Sequence, residues 1–179
     1  MALTATIHHF TIRLSDVDRG VYETLELKAA KHPSESDEYL VTRVLAYCLE
    51  YAEGIAFSRG LAEPDEPAIA VRDLTGALKA WIEIGSPDAA RLHRAAKAAP
   101  RVAVYTHKDP AQLVARLAGG RIHRVEALEL YAIDRDLIGV LAARLERRMA
   151  WSVSVSDRDL YVSIDADTFS GPVSRHAVG

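Results

Sequence analysis

The sequence predicts a mixed α/β fold of the α+β kind, a mixed central sheet flanked by helices with extra β-hairpins near both termini. Three observations lead there. Stretches whose apolar residues alternate with period two are interspersed with stretches of helical period, the pattern of a sheet covered by helices. No internal repeat, linker or low-complexity run divides the chain. Its 179 residues, 49% of them apolar, suffice to bury roughly 70% of the unfolded surface around one core. Residues 1–179 therefore read as a single domain, with a flexible tail after Phe169.

The elements follow in order. Leu3 to Ser15 sets Phe10, Ile12 and Leu14 against Thr11 and Arg13, and after a turn at Asp16–Gly20 the run Val21, Glu23, Leu25 and Leu27 alternates again, so two antiparallel strands are expected. Leu40, Val41, Val44, Leu45, Cys48 and Leu49 follow helical spacing, with Ser34 as N-cap, acids in the first turn and Gly54 as the stop. A short strand over Ala56–Arg59 and a loop over Gly60–Pro67 come next. Ala68–Leu74 and Leu78–Ile84 flank Thr75-Gly76-Ala77, a hairpin signal. Ser86-Pro87-Asp88 caps an alanine-rich helix ending near Pro100. A strand over Arg101–Thr106, a helix over Asp109–Leu117 and a strand over Val125–Ile133 complete the middle of the chain. Asp134 and Asp136 are caps for a helix reaching Arg148, and Ala150–Ser156 with Leu160–Ile164 form a last hairpin.

Composition excludes several function classes. One cysteine, Cys48, cannot build an intrachain disulfide framework. No apolar run approaches membrane-spanning length and Met1–Leu14 lacks the pattern of an export signal, so a cytoplasmic protein with no membrane partner is expected. The net charge of −3 argues against a polyanionic partner, but it is unevenly spread. Between Ser86 and Arg124 eight basic residues (Arg91, Arg94, Lys97, Arg101, Lys108, Arg116, Arg121, Arg124) face only Asp88 and Asp109, a local +6 that leaves −9 elsewhere. Local potential decides whether a surface attracts phosphate, so segment 86–124 is a candidate DNA- or RNA-binding surface.

The sequence has no glycine-rich phosphate loop, no cysteine or histidine pair at zinc spacing and no nucleophile elbow. His8 and His9, adjacent on a strand, point to opposite faces and do not chelate together. The stretch from Val71 to Gly85 is more informative. Glu83 interrupts the apolar run Trp81-Ile82-Glu83-Ile84, and a carboxylate in such a strand must be paired, protonated or metal-bound if it is buried. With Asp73 at the other strand of the hairpin, two acids at a sheet end would suit Mg²⁺ or Mn²⁺. The other reading has Glu83 facing outward and Asp73 merely opening the turn.

Several separated blocks, in order, carry a resemblance over the whole chain: Met1–Ile7, His32-Pro33-Ser34-Glu35, Phe57-Ser58-Arg59-Gly60-Leu61, Asp65-Glu66-Pro67, and Trp81–Gly85 with Pro87-Asp88. In these the chain resembles the YaeQ family of bacterial proteins, which looks like a divergent branch of the PD-(D/E)XK restriction-endonuclease-like fold. That resemblance implies a helix acid, Glu35, a hairpin aspartate, Asp73, and a second-strand acid, Glu83, together holding a divalent Mg²⁺ or Mn²⁺ for phosphodiester hydrolysis. The fold's Glu-x-Lys lysine is missing, because Gly85 stands two residues after Glu83. Arg91 or Arg94, one and two turns into the following helix, are the replacements the resemblance allows, as charge clamps and not as bases. Two functions follow: a metal-dependent nuclease or phosphodiesterase with a degenerate motif, or a non-catalytic nuclease-like domain that binds nucleic acid or the transcription machinery, with a role in elongation or antitermination.

Overall fold

The computed structural model describes residues 4–58 and 65–179. In chain order its elements are β1 (Thr6–Asp16), β2 (Val21–Lys31), α1 (Asp37–Leu49), β3 (Ile55–Phe57), β4 (Ile69–Arg72), β5 (Leu78–Ile84), α2 (Ala89–Ala98) and β6 (Val102–Thr106). They continue as α3 (Pro110–Leu117), a 3-10 turn at Val125–Ala127, β7 (Glu129–Ile133), α4 (Arg135–Ala143), β8 (Arg148–Ser156), β9 (Asp159–Ile164) and β10 (Asp167–His176). The mixed α+β class expected from the sequence is what the chain adopts. Two compact units divide it, one running up to Leu49 and resuming over Ile133–Ser174, the other comprising Glu50–Ala132 and Arg175–Gly179.

In the first unit β2, β1, β8, β9 and β10 lie side by side. β1 runs antiparallel to β2 and parallel to β8, and the β8–β9–β10 stretch is antiparallel. Period-two alternation gives this sheet one buried and one polar face. Phe10, Ile12, Leu14, Leu25, Leu27, Trp151, Val153 and Val155 line the buried face, where the Phe10 and Trp151 rings meet edge to face at 5.0 Å. α1 lies against β2 and α4, and all nine residues from Leu40 to Cys48 are buried.

Local chemistry moves some expected boundaries here. Ser36, not Ser34, caps α1: its hydroxyl accepts from the Tyr39 amide at 3.0 Å, whereas the Ser34 hydroxyl sits 2.8 Å from the His32 ring. The helix stops at Leu49, before Gly54. α4 starts on the expected Asp134 cap but ends at Ala143, because Arg148 is claimed by strand pairing with His9. Residues after Phe169, expected as a flexible tail, continue strand β10, which pairs antiparallel with β9.

In the second unit the order is β7-β6-β5-β4-β3, with β5, β6 and β7 parallel and the β3–β4–β5 meander antiparallel. α2 and α3 place Leu92, Ala95, Ala96, Leu113 and Leu117 in one core with Trp81, Val102, Val104 and Leu130. Both helices start where the sequence marks them, on Asp88 and Asp109. The strand expected from Val125 begins only at Glu129, after the 3-10 turn. Of the short strand expected over Ala56–Arg59 and the loop over Gly60–Pro67, residues 59–64 lie outside the described residues.

Gly54 lets β3 approach β4. Its φ is +89° and a Cβ built there would lie 1.9 Å from the Arg72 carbonyl oxygen. A side chain therefore meets both backbone strain and a hard clash. Gly54→Ala is expected to lower the urea midpoint by the equivalent of about 2 kcal/mol or more; a shift equivalent to under ~0.5 kcal/mol would show that the approach is not rigid.

Candidate functional site

The β4–β5 hairpin carries two of the three acids singled out by the sequence. Asp73 opens its connecting loop, its amide donating to the Ala77 carbonyl at 3.0 Å. Its Oδ1 accepts from the Thr75 hydroxyl at 2.6 Å and from the Thr75 and Ala77 amides at 2.9 and 3.0 Å, and Lys79 Nζ lies 3.7 Å from Oδ2. These are the bonds by which an aspartate folds a turn around its own side chain. The Thr75 hydroxyl above all, then the two amides and the Lys79 ammonium, hold its carboxyl below the usual carboxylate range, against a smaller opposing effect of desolvation.

Glu83 is built differently. Near the end of β5 it is buried, its side chain 6% exposed. The chain leaves β5 through Gly85 and the Asp88 cap, which starts α2 so that Arg91 turns back over the strand. Arg91 Nε donates to Glu83 Oε2 at 2.8 Å and Nη2 to Oε1 at 2.9 Å, a two-pronged guanidinium–carboxylate pair. Trp81 Nε1 donates to Oε1 at 2.6 Å, and Arg91 Nη2 also reaches the Glu66 carbonyl at 2.7 Å. The guanidinium lies 5.7 Å from the Trp81 ring centre. Of the two arginines the sequence offered, Arg91 meets the acid; Arg94 is exposed on α2.

The hairpin does not bring Asp73 and Glu83 together. Asp73 is bonded opposite Ala77, and from Ala77 to Glu83 the strand runs about 20 Å at ~3.3 Å per residue. One divalent ion, with ligand distances of about 2 to 2.6 Å, does not span that gap. Glu35 belongs to the first unit, where Oε1 accepts the His32 amide at 3.0 Å and Oε2 lies 3.8 Å from Arg43 Nη2, both side chains buried. It closes the loop before α1. Among the described residues no group of three or more His, Cys, Asp or Glu side chains is placed to hold a metal ion.

Two polar clusters carried no signal in the sequence. Arg101 donates to Glu50 (2.5 and 3.0 Å) and to Glu129 (2.7 and 3.1 Å), while the Tyr105 and Tyr131 hydroxyls bond Glu50 and Glu129 at 2.5 Å each. Burial first and then the Glu50 charge push the Tyr105 phenol well above its ordinary value. In the first unit Arg19 bonds Asp16 at 2.7 Å and the Cys48 carbonyl at 3.0 Å. Cys48 is fully buried with its thiol pushed up to about 12, chiefly by burial, which makes it a packing residue and not a nucleophile.

The basic segment divides into used and unused charge. Arg91 and Arg101 are committed to carboxylates, and Arg124 donates to the Ala96 and Ala99 carbonyls. The segment's two acids are also committed: Asp88 caps α2 and Asp109 caps α3. Arg94, Lys97 and Arg121 are exposed and have no ion pair among the described residues. Between them sits His93, whose Nδ1 accepts the His123 amide at 3.0 Å and whose ring stands 6.3 Å from that of His123. Partial burial first, then Arg121, Lys97 and His123, hold the His93 pKa below the ordinary imidazole value. α2 and the loop after α3 thus present a positive face from which carboxylates have been withdrawn.

Fold and site together define a mixed α+β protein whose buried acids are closed by arginine and whose second unit carries a carboxylate-poor basic face. The chain belongs to the YaeQ family, whose family model (YaeQ protein) matches residues 1–171. It is 32% identical over 167 residues to the YaeQ protein of Escherichia coli K12, covering 92% of each chain. It is similar to the crystal structure of YaeQ protein from Xanthomonas axonopodis pv. citri, with a TM-score of 0.88 at 30% identity over 98% of this chain and all of the other. The YaeQ structure from Pseudomonas syringae gives 0.85 at 30% identity, covering 96% and 95%. No described helix is long and apolar enough to cross a membrane.

If Arg91 is what makes Glu83 tolerable inside the sheet, Arg91→Met should cost about 3 kcal/mol in urea unfolding, and Arg91→Met with Glu83→Leu should recover most of it. Equal losses in the single and double variants would mean that the pair is not coupled. Asp73 contributes stability above its unfolded pKa, near 3.8, that is lost as pH falls through its lower folded value. Asp73→Asn, which keeps the accepting oxygen, should therefore lose less stability than the parent chain between pH 5 and pH 2.

Proposed function

We propose that the protein is a nuclease-like domain that binds nucleic acid without cleaving it, using the basic face of α2 and the loop after α3. The observation that carries this reading is the set of Arg94, Lys97 and Arg121, exposed, with Lys97 and Arg121 close enough to act on His93 and Arg94 next to it on α2, and without a carboxylate partner among the described residues. Cations spaced along one helix face and an adjoining loop suit a phosphate backbone, whose binding is dominated by such contacts. Cleavage would demand more. Glu83 would have to release Arg91 and Trp81 before it could hold Mg²⁺ or Mn²⁺, and Asp73 is too far along the hairpin to serve as its co-ligand. In this reading Arg91 takes the place of a metal ion as the charge that neutralises the sheet acid.

Single-stranded and duplex 20-mers, titrated by fluorescence anisotropy in EDTA, should bind with an affinity that falls steeply with salt. Three neutralised phosphates correspond to a log–log slope of about −2 on single strands and about −3 on duplex. Arg94→Gln or Arg121→Gln should each flatten that slope by about one without changing the urea midpoint. Binding that needs Mn²⁺, or cleavage of either strand that Glu83→Gln abolishes, would overturn the proposal in favour of the nuclease.

A further inference from the structure

A second cationic site lies in the first unit, and nothing in the reading above uses it. Its origin is strand register. His9 on β1 stands directly opposite Lys28 on β2 and Arg148 on β8. Residues opposite one another across neighbouring strands project from the same sheet face, so Lys28, His9 and Arg148 form one rung. Their burial agrees: Lys28 and Arg148 are exposed and His9 half-exposed, whereas His8, one residue back, is buried. At ~4.8 Å per strand the rung spans about 10 Å.

The rung ends at a cavity. A concavity of about 530 Å³ is lined by Thr4, Thr6, His9, Arg147 and Arg148, with Ile7 as an apolar wall, and none of its described lining residues is a carboxylate. That volume lies in the range of small-molecule sites and exceeds what one simple anion fills. Lys28, Arg147 and Arg148 have no ion pair among the described residues. On the same face the next rung carries Glu26, which accepts the Thr11 hydroxyl at 2.9 Å, and exposed Glu146, just before Arg147, makes no ion pair among the described residues. Two guanidinium forks, an imidazole and two threonine hydroxyls line one hollow, with the Lys28 ammonium further along the same rung, and no carboxylate among the described residues joins the lining. Guanidinium groups match phosphate oxygens in pairs, and the spread of the cations suits several linked phosphates better than a single one.

We propose that this cavity binds an oligophosphate chain, either free or as part of a nucleotide. Arg147 and Arg148 grip the phosphoryl oxygens, His9 and the threonines donate to them, and Lys28 supplies charge at the open end. The site is separate from the basic face of α2 in both residues and ligand: it takes a short, flexible polyanion into a hollow, whereas the α2 face tracks a strand.

The test is calorimetry together with NMR of the His9 ring, using inorganic pyrophosphate and ATP as probes in EDTA and sulfate as the comparison anion. Pyrophosphate and ATP are expected to shift the His9 resonances and to bind at least tenfold more tightly than sulfate. Equal affinities for the two would identify the phosphate chain as the whole determinant, and tighter ATP binding would add a nucleoside contact at Ile7. Arg148→Ala should weaken both by about tenfold or more and Arg148→Lys by less, with the urea midpoint unchanged. Arg94→Gln, in the other face, should leave pyrophosphate binding as it was even if the nucleic-acid reading fails. Unmoved His9 resonances, sulfate binding as tightly as pyrophosphate, or affinities indifferent to Arg148→Ala would each overturn the proposal.

Discussion

A carboxylate withdrawn from water has to be paired, protonated or metal-bound, and among its described residues this chain takes the first course four times. The buried acids among the described residues are Asp16, Glu35, Glu50 and Glu83. Each is matched to one arginine: Arg19, Arg43, Arg101 and Arg91. Removing one partner of such a pair costs about 3–5 kcal/mol, whereas the intact pair adds little over apolar packing. The pairs therefore act less as sources of stability than as conditions on the arrangement. Asp16–Arg19 ties the β1–β2 turn to the Cys48 carbonyl, Glu35–Arg43 the loop before α1, and Glu83–Arg91 fixes α2 on β5. Arg101 brings together the residue after α1 and the first residue of β7.

The same constraint determines which charge is left for ligands. Net charge counts Arg91 and Arg101 among the cations of the basic segment, but their charge is cancelled within the fold. The acids of that segment are consumed too, as caps on α2 and α3, where the positive end of a helix favours them. What remains on the surface is a smaller set of cations with no carboxylate partner among the described residues: Arg94, Lys97, Lys108, Arg116 and Arg121, of which Arg94, Lys97 and Arg121 lie on α2 and the loop after α3. A phosphate ligand responds to that residue-level remainder and not to the sum over the chain.

Elements with strong local signals were legible in the sequence. Alternation marked β1, β2, β8 and β9, and the Asp88, Asp109 and Asp134 caps marked the starts of α2, α3 and α4. The errors come where two local signals compete or where a distant strand decides. Ser34 and Ser36 are equally good caps by type, and only the hydrogen bonds separate them. The end of α4 depends on a pairing partner remote in sequence, since Arg148 pairs with His9, and β10 is recognisable only from its pairing with the preceding β9. For the site, the oddity of Glu83 and the reach of Arg91 were readable from spacing along one strand and one helix. The relation of Asp73 to Glu83 was not, because it depends on hairpin register. The Asp73 side chain organises the five-residue loop itself, and the pairing shifts between Val71 and Arg72. The Arg101 cluster assembles side chains from three separate stretches, and no local pattern encodes it.

The glycine at position 85, where the resemblance would place a lysine, is explained by backbone geometry. Gly85 has φ +91°, in the left-handed region that lysine enters only with strain, while its amide donates to the Tyr105 carbonyl at 2.8 Å. Strand β5 has therefore ended at Ile84, and the chain is already turning into the Asp88 cap. A lysine two positions past Glu83 needs the strand to continue, so that its side chain projects from the same face as the glutamate. Here the strand stops instead, and the sharp exit through Gly85 starts α2 early enough for Arg91 to fall back on Glu83. The absence of a strand lysine after Glu83 and the presence of the Arg91 clamp thus follow from the same chain exit. The charge that reaches Glu83 comes from a group that stays protonated and takes up both carboxylate oxygens. That chemistry neutralises and positions, and it engages both carboxylate oxygens of Glu83.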